Sequence, residues 1–380
     1  MISLLQIFTA IVQSTGHVGS SSEFEYVCGS ERDSFQLILQ PDAGYDLKFL
    51  AMPKGVDPTN EYYENADYAF LSGAGSKVTV YVHDSGINLD HSEFTSPPPK
   101  GVKKGTIEWL YPEFDTQSVP EGNWDPRPVF DPIGHGTCVA DKVVGHKWGV
   151  AKGASLKMVP TIDIDSDFWM KAGLRTIIKD IEKEREKDPN FIAIVNFSYV
   201  LRDTISAQLK QDFYRLYREI YEIAIVVATA GNWKVGSGSS EVTQYPAVLV
   251  KYFPNMIVVG SIDVYGFVSS FSRSGDLISV YAPGELSIDE GLDCAQGSTR
   301  SSTDEEKKYG MTQREGTSFS TPIVSGVVAY LISVNPSWRR VNTVAEVVKA
   351  KIMKMAWSRD DVVSIESPGV WNGQDGLRCY

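Results

Sequence analysis

Apolar residues recur along the chain with two spacings, and the spacing switches where one type of element should give way to another. Lys77–His83 (KVTVYVH) is rich in β-branched and aromatic residues and predicts a buried strand that ends at Asp84. Phe191–Ser198, Ile223–Ala228, Met256–Gly260 and Leu277–Tyr281 read as further short strands. Between them the spacing becomes helical. Met170, Leu174, Ile177, Ile178 and Ile181 share one face of Phe168–Arg185, and Ile205, Leu209, Phe213, Tyr217 and Ile220 share one face of the next helix. Pro322–Val334 is apolar on most sides and predicts a buried helix. Strands alternating with helices imply an α/β fold, a mostly parallel sheet with helices on both faces, whose active groups sit at the carboxyl ends of strands. Residues 30–60 look irregular apart from the apolar run Phe35–Leu39, and Trp109–Pro132 reads as a long surface insertion.

The amino terminus departs from this alternation. Met1–Val12 is mostly apolar and is followed by small and polar residues, the form of a secretory signal peptide ending near residue 16. The first basic residue is Arg32, so the usual basic start is missing, and a buried first element is the competing reading. No apolar run reaches the ~18 residues of a membrane span, and no span is expected. Composition narrows the classes further. With 36 Lys and Arg against 48 Asp and Glu the net charge is −12, which argues against a nucleic-acid partner, since phosphate neutralisation needs a basic surface. The acidic balance suits a secreted, extracellular, monomeric protein. The four cysteines, Cys28, Cys138, Cys294 and Cys379, suit one or two disulfides in an oxidising compartment, or buried thiols, and lack zinc-ligand spacing.

Four segments hold candidate chemistry. Val80–Ile87 delivers Asp84 from a strand into a glycine turn; Gly134-His135-Gly136-Thr137 flanks a histidine with glycines ahead of an apolar stretch; Gly316–Pro322 places Ser318 at a turn opening the apolar helix. Ala230-Gly231-Asn232 ends a strand. Taken singly, Asp84 is as readily a turn or cap residue, His135 a packed loop histidine and Ser318 an N-cap. Together they arrive in the order Asp, His, Ser, the chain order of subtilisin as against the chymotrypsin and α/β-hydrolase orders.

From about Tyr68 to Ile332 the chain resembles the subtilisin-like serine peptidases, or subtilases, and looks closest to their proteinase K-like fungal branch. Besides the four blocks, the resemblance rests on Tyr245-Pro246-Ala247, Pro254–Gly260 and Val280–Gly284. It implies a three-layer subtilisin-like fold and hydrolysis of protein or peptide substrates through an acyl-enzyme. Ser318 would be the nucleophile, His135 the base and Asp84 its partner, with the Asn232 amide and the Ser318 N–H as oxyanion hole. Ser198, Tyr199, Ala230 and Gly231 would line the substrate path. No cofactor is required for such chemistry. Asp163, Asp165 and Asp167 could bind a structural calcium through oxygens, although a solvated acidic loop is the simpler reading.

The pattern also departs from the family. Asp141 stands where a small helix-packing residue is usual, Phe319, Ser320 and Ile323 differ from the common serine block, and Asn196–Val200 lacks the glycines of the strand that pairs with substrate. A catalytic domain is expected over 62–357, a short or diverged propeptide-like region over 22–58, and a tail over 358–380. A non-catalytic binding or decoy protein on the same scaffold, and a small-ester or amide hydrolase, are the alternatives.

Overall fold

The computed structural model describes residues 25–26, 35–113, 130–161, 166–201, 205–234, 236, 238–340, 343–358 and 368–374. The expected signal peptide at 1–16, Cys28, Cys379, Asp163, Asp165 and most of the expected insertion lie outside the described residues. Numbered in chain order, the strands are β1 (Glu25–Tyr26), β2 (Leu37–Gln40), β3 (Tyr68–Leu71), β4 (Val78–Asp84), β5 (Ile107–Trp109), β6 (Ser155–Pro160), β7 (Ile192–Phe197), β8 (Ile225–Thr229), β9 (Ile257–Ile262), β10 (Val280–Pro283), β11 (Leu292–Ala295) and β12 (Met311–Arg314). The α-helices are α1 (Tyr45–Leu50), α2 (Asn60–Asn65), α3 (Ser92–Thr95), α4 (His135–Val144), α5 (Asp167–Lys187), α6 (Ala207–Ile223), α7 (Asp304–Tyr309), α8 (Thr317–Val334) and α9 (Val344–Met355).

Seven strands form one sheet in the order β10-β9-β8-β7-β4-β6-β5, and every pairing in it is parallel. The expected α/β class is therefore the observed one. After β6 the chain crosses to β7 on the other side of β4, so the strand order reverses at β4. In open parallel sheets the carboxyl end beside such a reversal is where a crevice opens.

The two faces of the sheet have separate cores, and the period-two alternation of a strand sorts residues between them. Val78, Val80 and Val82 of β4, Ile225 and Val227 of β8, and Ile257 and Val259 of β9 join the core that holds α4 and α8. Tyr81, Val226, Ala228 and Val258 join the core under α5 and α6. Even-numbered residues of β4 thus face α4 and α8, and Asp84 continues that row. Odd-numbered His83 faces the other way.

Helix α8 runs across β4, β7, β8, β9 and β10 and packs on α4. By length and composition it is apolar enough to cross a membrane, yet 89% of it is buried inside the protein, as a central core helix should be. It begins at Thr317, ahead of the Pro322 start predicted from apolarity, because polar Thr317, Ser320 and Thr321 are buried at its first turns. The strand predicted at Leu277–Tyr281 begins only at Val280, since the Ile278 N–H donates to Gly275 O and closes a turn first.

The region that looked irregular in sequence contributes core. Leu47, Phe49, Leu50 and Met52, in and beside α1, are fully buried with the sheet residues, and Asp46 of α1 pairs with Lys142 of α4 at 2.6 Å. From Leu37 onward the segment expected as propeptide-like is built into the same body. The expected tail also contributes, for Val370 is fully buried and its N–H donates to Tyr281 O.

His83 is enclosed against the α5/α6 layer. Its Nδ1 lies 3.0 Å from the Tyr199 hydroxyl, its Nε2 has no partner, and a methyl group on Gly173 of α5 would come within 2.2 Å of that Nε2. Burial pushes its imidazole down to about 3, against a weaker opposing pull from Asp84. The unfolded chain, titrating near 6.5, binds a proton that the folded chain refuses. Stability should therefore be full above that value and fall as pH drops towards 3, by up to about 5 kcal/mol. His83→Leu should flatten this loss, as read from denaturant unfolding between about pH 7 and pH 4. An unchanged slope would mean that His83 is not held neutral.

Candidate active site

Asp84, His135, Asn232 and Ser318 come from four segments that meet at the carboxyl end of the sheet. Asp84 closes β4, His135 opens α4, Asn232 follows β8 and Ser318 is the second residue of α8. His135 Nδ1 is 2.7 Å from Asp84 Oδ1, and the same oxygen accepts the Ser85 N–H at 2.7 Å. Asp84 is 5% exposed and His135 26%, so the carboxylate is shielded while the ring reaches the surface. A carboxylate on Nδ1 fixes the proton there and leaves Nε2 as the acceptor. Burial alone would depress the imidazolium. The charge of Asp84 and its hydrogen bond, with Asp131 adding, outweigh that and raise the His135 pKa above 6.5, while Arg314 works against them.

Asp131 was not singled out from the sequence, yet it organises the start of α4. Its Oδ1 accepts from Gly134 N and Ser85 Oγ, each at 2.9 Å; its Oδ2 accepts from Thr137 N at 2.8 Å and Thr137 Oγ1 at 2.7 Å. Ser85 Oγ in turn accepts the Gly136 N–H. One buried carboxylate thereby satisfies helix-end donors and ties the His135 turn to the Asp84 turn. The sequence signal was a short polar residue just ahead of a helix start.

The amide of Asn232 is oriented by its oxygen. Oδ1 accepts from Thr317 N at 3.1 Å and Thr317 Oγ1 at 2.7 Å, and Thr317 Oγ1 accepts from Thr229 Oγ1. Nδ2 is left facing Gly316: a methyl group there would lie 3.1 Å from Asn232 Nδ2 and 3.3 Å from Ser318 Oγ. With φ at 140°, Gly316 is also a conformation that favours glycine. At the start of α8 the Thr317 N–H goes to Asn232 and the Phe319 N–H to Gly316 O. Among the described residues the Ser318 N–H between them has no hydrogen-bond partner. Two donors, Asn232 Nδ2 and Ser318 N–H, thus flank the Ser318 hydroxyl, and the ring of Phe319 packs 5.0 Å from that of His135.

The other expected site residues fall differently. Ala230 and Gly231 lead directly into Asn232, and Val200 Cγ1 lies against Gly231, so the segments 198–200 and 230–232 do run side by side. The side chains of Ser198 and Tyr199 turn inward, however. Ser198 Oγ accepts from Asn196 Nδ2 at 2.9 Å, and the Tyr199 hydroxyl meets His83 and Tyr217. Only their backbone remains for a ligand. Asn196, part of a formal glycosylation sequon, is fully buried and also accepts from Ser325.

Asp141 is paired rather than solvated. It is fully buried, accepts the Ala295 N–H at 2.7 Å, and lies beside Glu93 and Lys142. Burial first, then the charge of Glu93, lift its carboxyl well above the usual carboxylate range. One turn after His135, Cys138 forms a disulfide with Cys294 of β11. Lys142 Nζ also donates to Asp293 O at 2.7 Å, so helix α4 is held to β11 at three points. Among the described residues no group of three or more His, Cys, Asp or Glu side chains is placed to hold a metal ion.

This geometry has known relatives. Residues 75–374 match the subtilase family of peptidases, and the chain belongs to that family. It is 29% identical over 301 residues to subtilisin-like protease 2 of Arthroderma otae, an alignment covering 78% of this chain and 59% of that protein. A subtilisin-like protease of Coccidioides posadasii is 28% identical over 302 residues, covering 79% and 62%. The chain therefore spans about three fifths of the length of these fungal relatives. A crystal structure of a cold-adapted subtilisin-like serine proteinase superposes with a TM-score of 0.56 at 21% identity, covering 87% of this chain and 96% of that one, which shows the shared fold.

Proposed function

We propose that this chain is a serine endopeptidase that cleaves peptide bonds of proteins through an acyl-enzyme. What carries the reading is the 2.7 Å bond from His135 to Asp84, at a site where the Ser318 hydroxyl is flanked by two unused donors. In this mechanism Ser318 Oγ attacks the scissile carbonyl while His135 Nε2 takes its proton. The oxyanion is met by Asn232 Nδ2 and the Ser318 N–H, and Asp84 stabilises the imidazolium that forms. His135 then gives the proton to the leaving amine, and water repeats the sequence on the acyl-enzyme. The inward-turned Ser198 and Tyr199 leave substrate to pair with backbone, in the manner of strand addition.

A fluorophosphonate probe tests the reading. Covalent labelling at Ser318, located by mass spectrometry of the modified peptide, is expected; an unlabelled, folded protein would point to a binding or decoy scaffold. Casein cleavage compared with turnover of a short ester distinguishes a peptidase from an esterase. Asn232→Ala should lower kcat by on the order of 10²–10³-fold with KM little changed, since it removes a donor used mainly in the transition state. A loss expressed mainly in KM would contradict that role. We further infer secretion, because the Cys138–Cys294 disulfide is of a kind that persists in oxidising compartments.

A further inference from the structure

The guanidinium of Arg314 stands beside the proposed catalytic histidine with little of its bonding capacity used. Arg314 ends β12, four residues before Ser318 in the chain. Its Nη2 donates to Ile133 O at 2.7 Å, in the loop that leads to His135, so it links the serine loop to the histidine loop. A methyl group on Gly134 would lie 3.0 Å from the same Nη2, and Gly134, at φ 73°, lacks the side chain that would crowd it. Arg314 Nε is shut off from solvent and has no partner. Among the described residues no carboxylate forms an ion pair with Arg314. The side chain is partly exposed, and the Nη donors not used by Ile133 remain to be used.

Its position also says which part of a substrate it would meet. The segments 198–200 and 230–232 lie on the Asn232 side of Ser318 and would carry the residues before the scissile bond. His135 must reach the leaving amine to protonate it, so the residues after the scissile bond pass the loop at Ile133 and Gly134. Nearby carboxylates are already committed: Asp84 to His135 and Ser85, and Asp131 to Gly134, Thr137 and Ser85. Glu315, the next residue, is exposed and follows Arg314 out of the strand.

Building on the peptidase reading, we propose that Arg314 is a specificity-determining residue that favours substrates with an acidic side chain in the first two positions after the cleaved bond. A planar guanidinium already anchored at one end is suited to bidentate pairing with a carboxylate.

The test uses internally quenched peptides that share one sequence before the scissile bond and carry Glu, Ala or Lys at the first or second position after it. The wild-type chain should prefer Glu over Lys in kcat/KM by on the order of tenfold at one of these positions. Arg314→Lys should keep the direction of this preference, Arg314→Gln should bring the ratio to about 1, and Arg314→Glu should invert it. Each ratio is taken within one variant, so a lost folded fraction cancels. An equal Glu-to-Lys ratio in wild type and Arg314→Glu overturns the proposal. A chromogenic anilide, which carries no residue after the scissile bond, distinguishes the two failures. If wild type turns over the anilide but shows no charge preference, only the Arg314 role falls; if it hydrolyses neither anilide nor peptides, the peptidase reading falls with it.

Discussion

Ser318→Ala is expected to remove peptide hydrolysis by a factor on the order of 10⁴–10⁶ in kcat while leaving the protein folded. The size follows from the role proposed for the hydroxyl: without it no acyl-enzyme could form, and the remaining donors could assist only direct attack by water. The fold should tolerate the change because the contacts around Ser318 belong to its neighbours. Thr317 binds Asn232 through both its N–H and its hydroxyl, Phe319 is buried against His135, and Thr321 Oγ1 donates to Thr317 O. Alanine also suits the first turn of a helix. Fluorophosphonate labelling should vanish, casein cleavage should vanish, and the thermal midpoint should stay within a few degrees of wild type. Casein cleavage by Ser318→Ala at more than about a hundredth of the wild-type rate would show that another residue is the nucleophile.

Asp84→Asn should cost on the order of 10⁴-fold in kcat at neutral pH. An asparagine amide of the same size could keep the 2.7 Å contact to His135 Nδ1, but it could do so as a donor. The imidazole would then carry its proton on Nε2 and have no lone pair there to take the Ser318 proton as the proposed mechanism requires. The imidazolium would also lose the charge that stabilises it. In the proposed mechanism His135 acts as a neutral base, so activity should decline as pH falls through its pKa, which is raised above 6.5 because Asp84 outweighs burial. In Asp84→Asn the burial that opposes Asp84 is left with weaker opposition, so the acid limb should move to lower pH. The measurement is the pH dependence of kcat/KM for both proteins on one peptide. A loss smaller than about tenfold, or an acid limb that stays in place, would remove Asp84 from its assigned role.

The class of fold was legible because buried parallel strands are nearly all apolar and β-branched, as in β4, and amphipathic helices expose their period, as in α5 and α6. The glycine-flanked blocks around His135 and Ser318 were legible for a related reason. A backbone met as closely as Gly316 is by the Asn232 side chain, or Gly136 by the Gly86 backbone, excludes other residues, and that exclusion leaves a local signature. Harder to read were elements held by distant partners. Helix α1 carries charged Asp46 and Lys48 among its apolar residues and looks irregular until Lys142, almost a hundred residues on, pairs with Asp46. Asp141 looked like a misfit until the Ala295 N–H supplied its bond.

Which residue types are available for chemistry, and in what order, can be read along the chain because that information is local: a strand ending in Asp84, a turn presenting His135, a helix start at Ser318. Which of two adjacent groups meets the histidine is set by the packing of the sheet. His83 and Asp84 differ by one position, but a strand turns successive side chains to opposite faces. The first is therefore enclosed neutral under α5 and α6, and the second meets His135. Packing likewise turns the side chains of Ser198 and Tyr199 into the protein, pairs Cys138 with Cys294, and brings Arg314 onto the Ile133 carbonyl of the histidine loop that Asp131 ties together. Each of these depends on which distant segment comes to lie alongside, and that is set by packing two cores against one sheet, beyond the reach of any spacing along the chain.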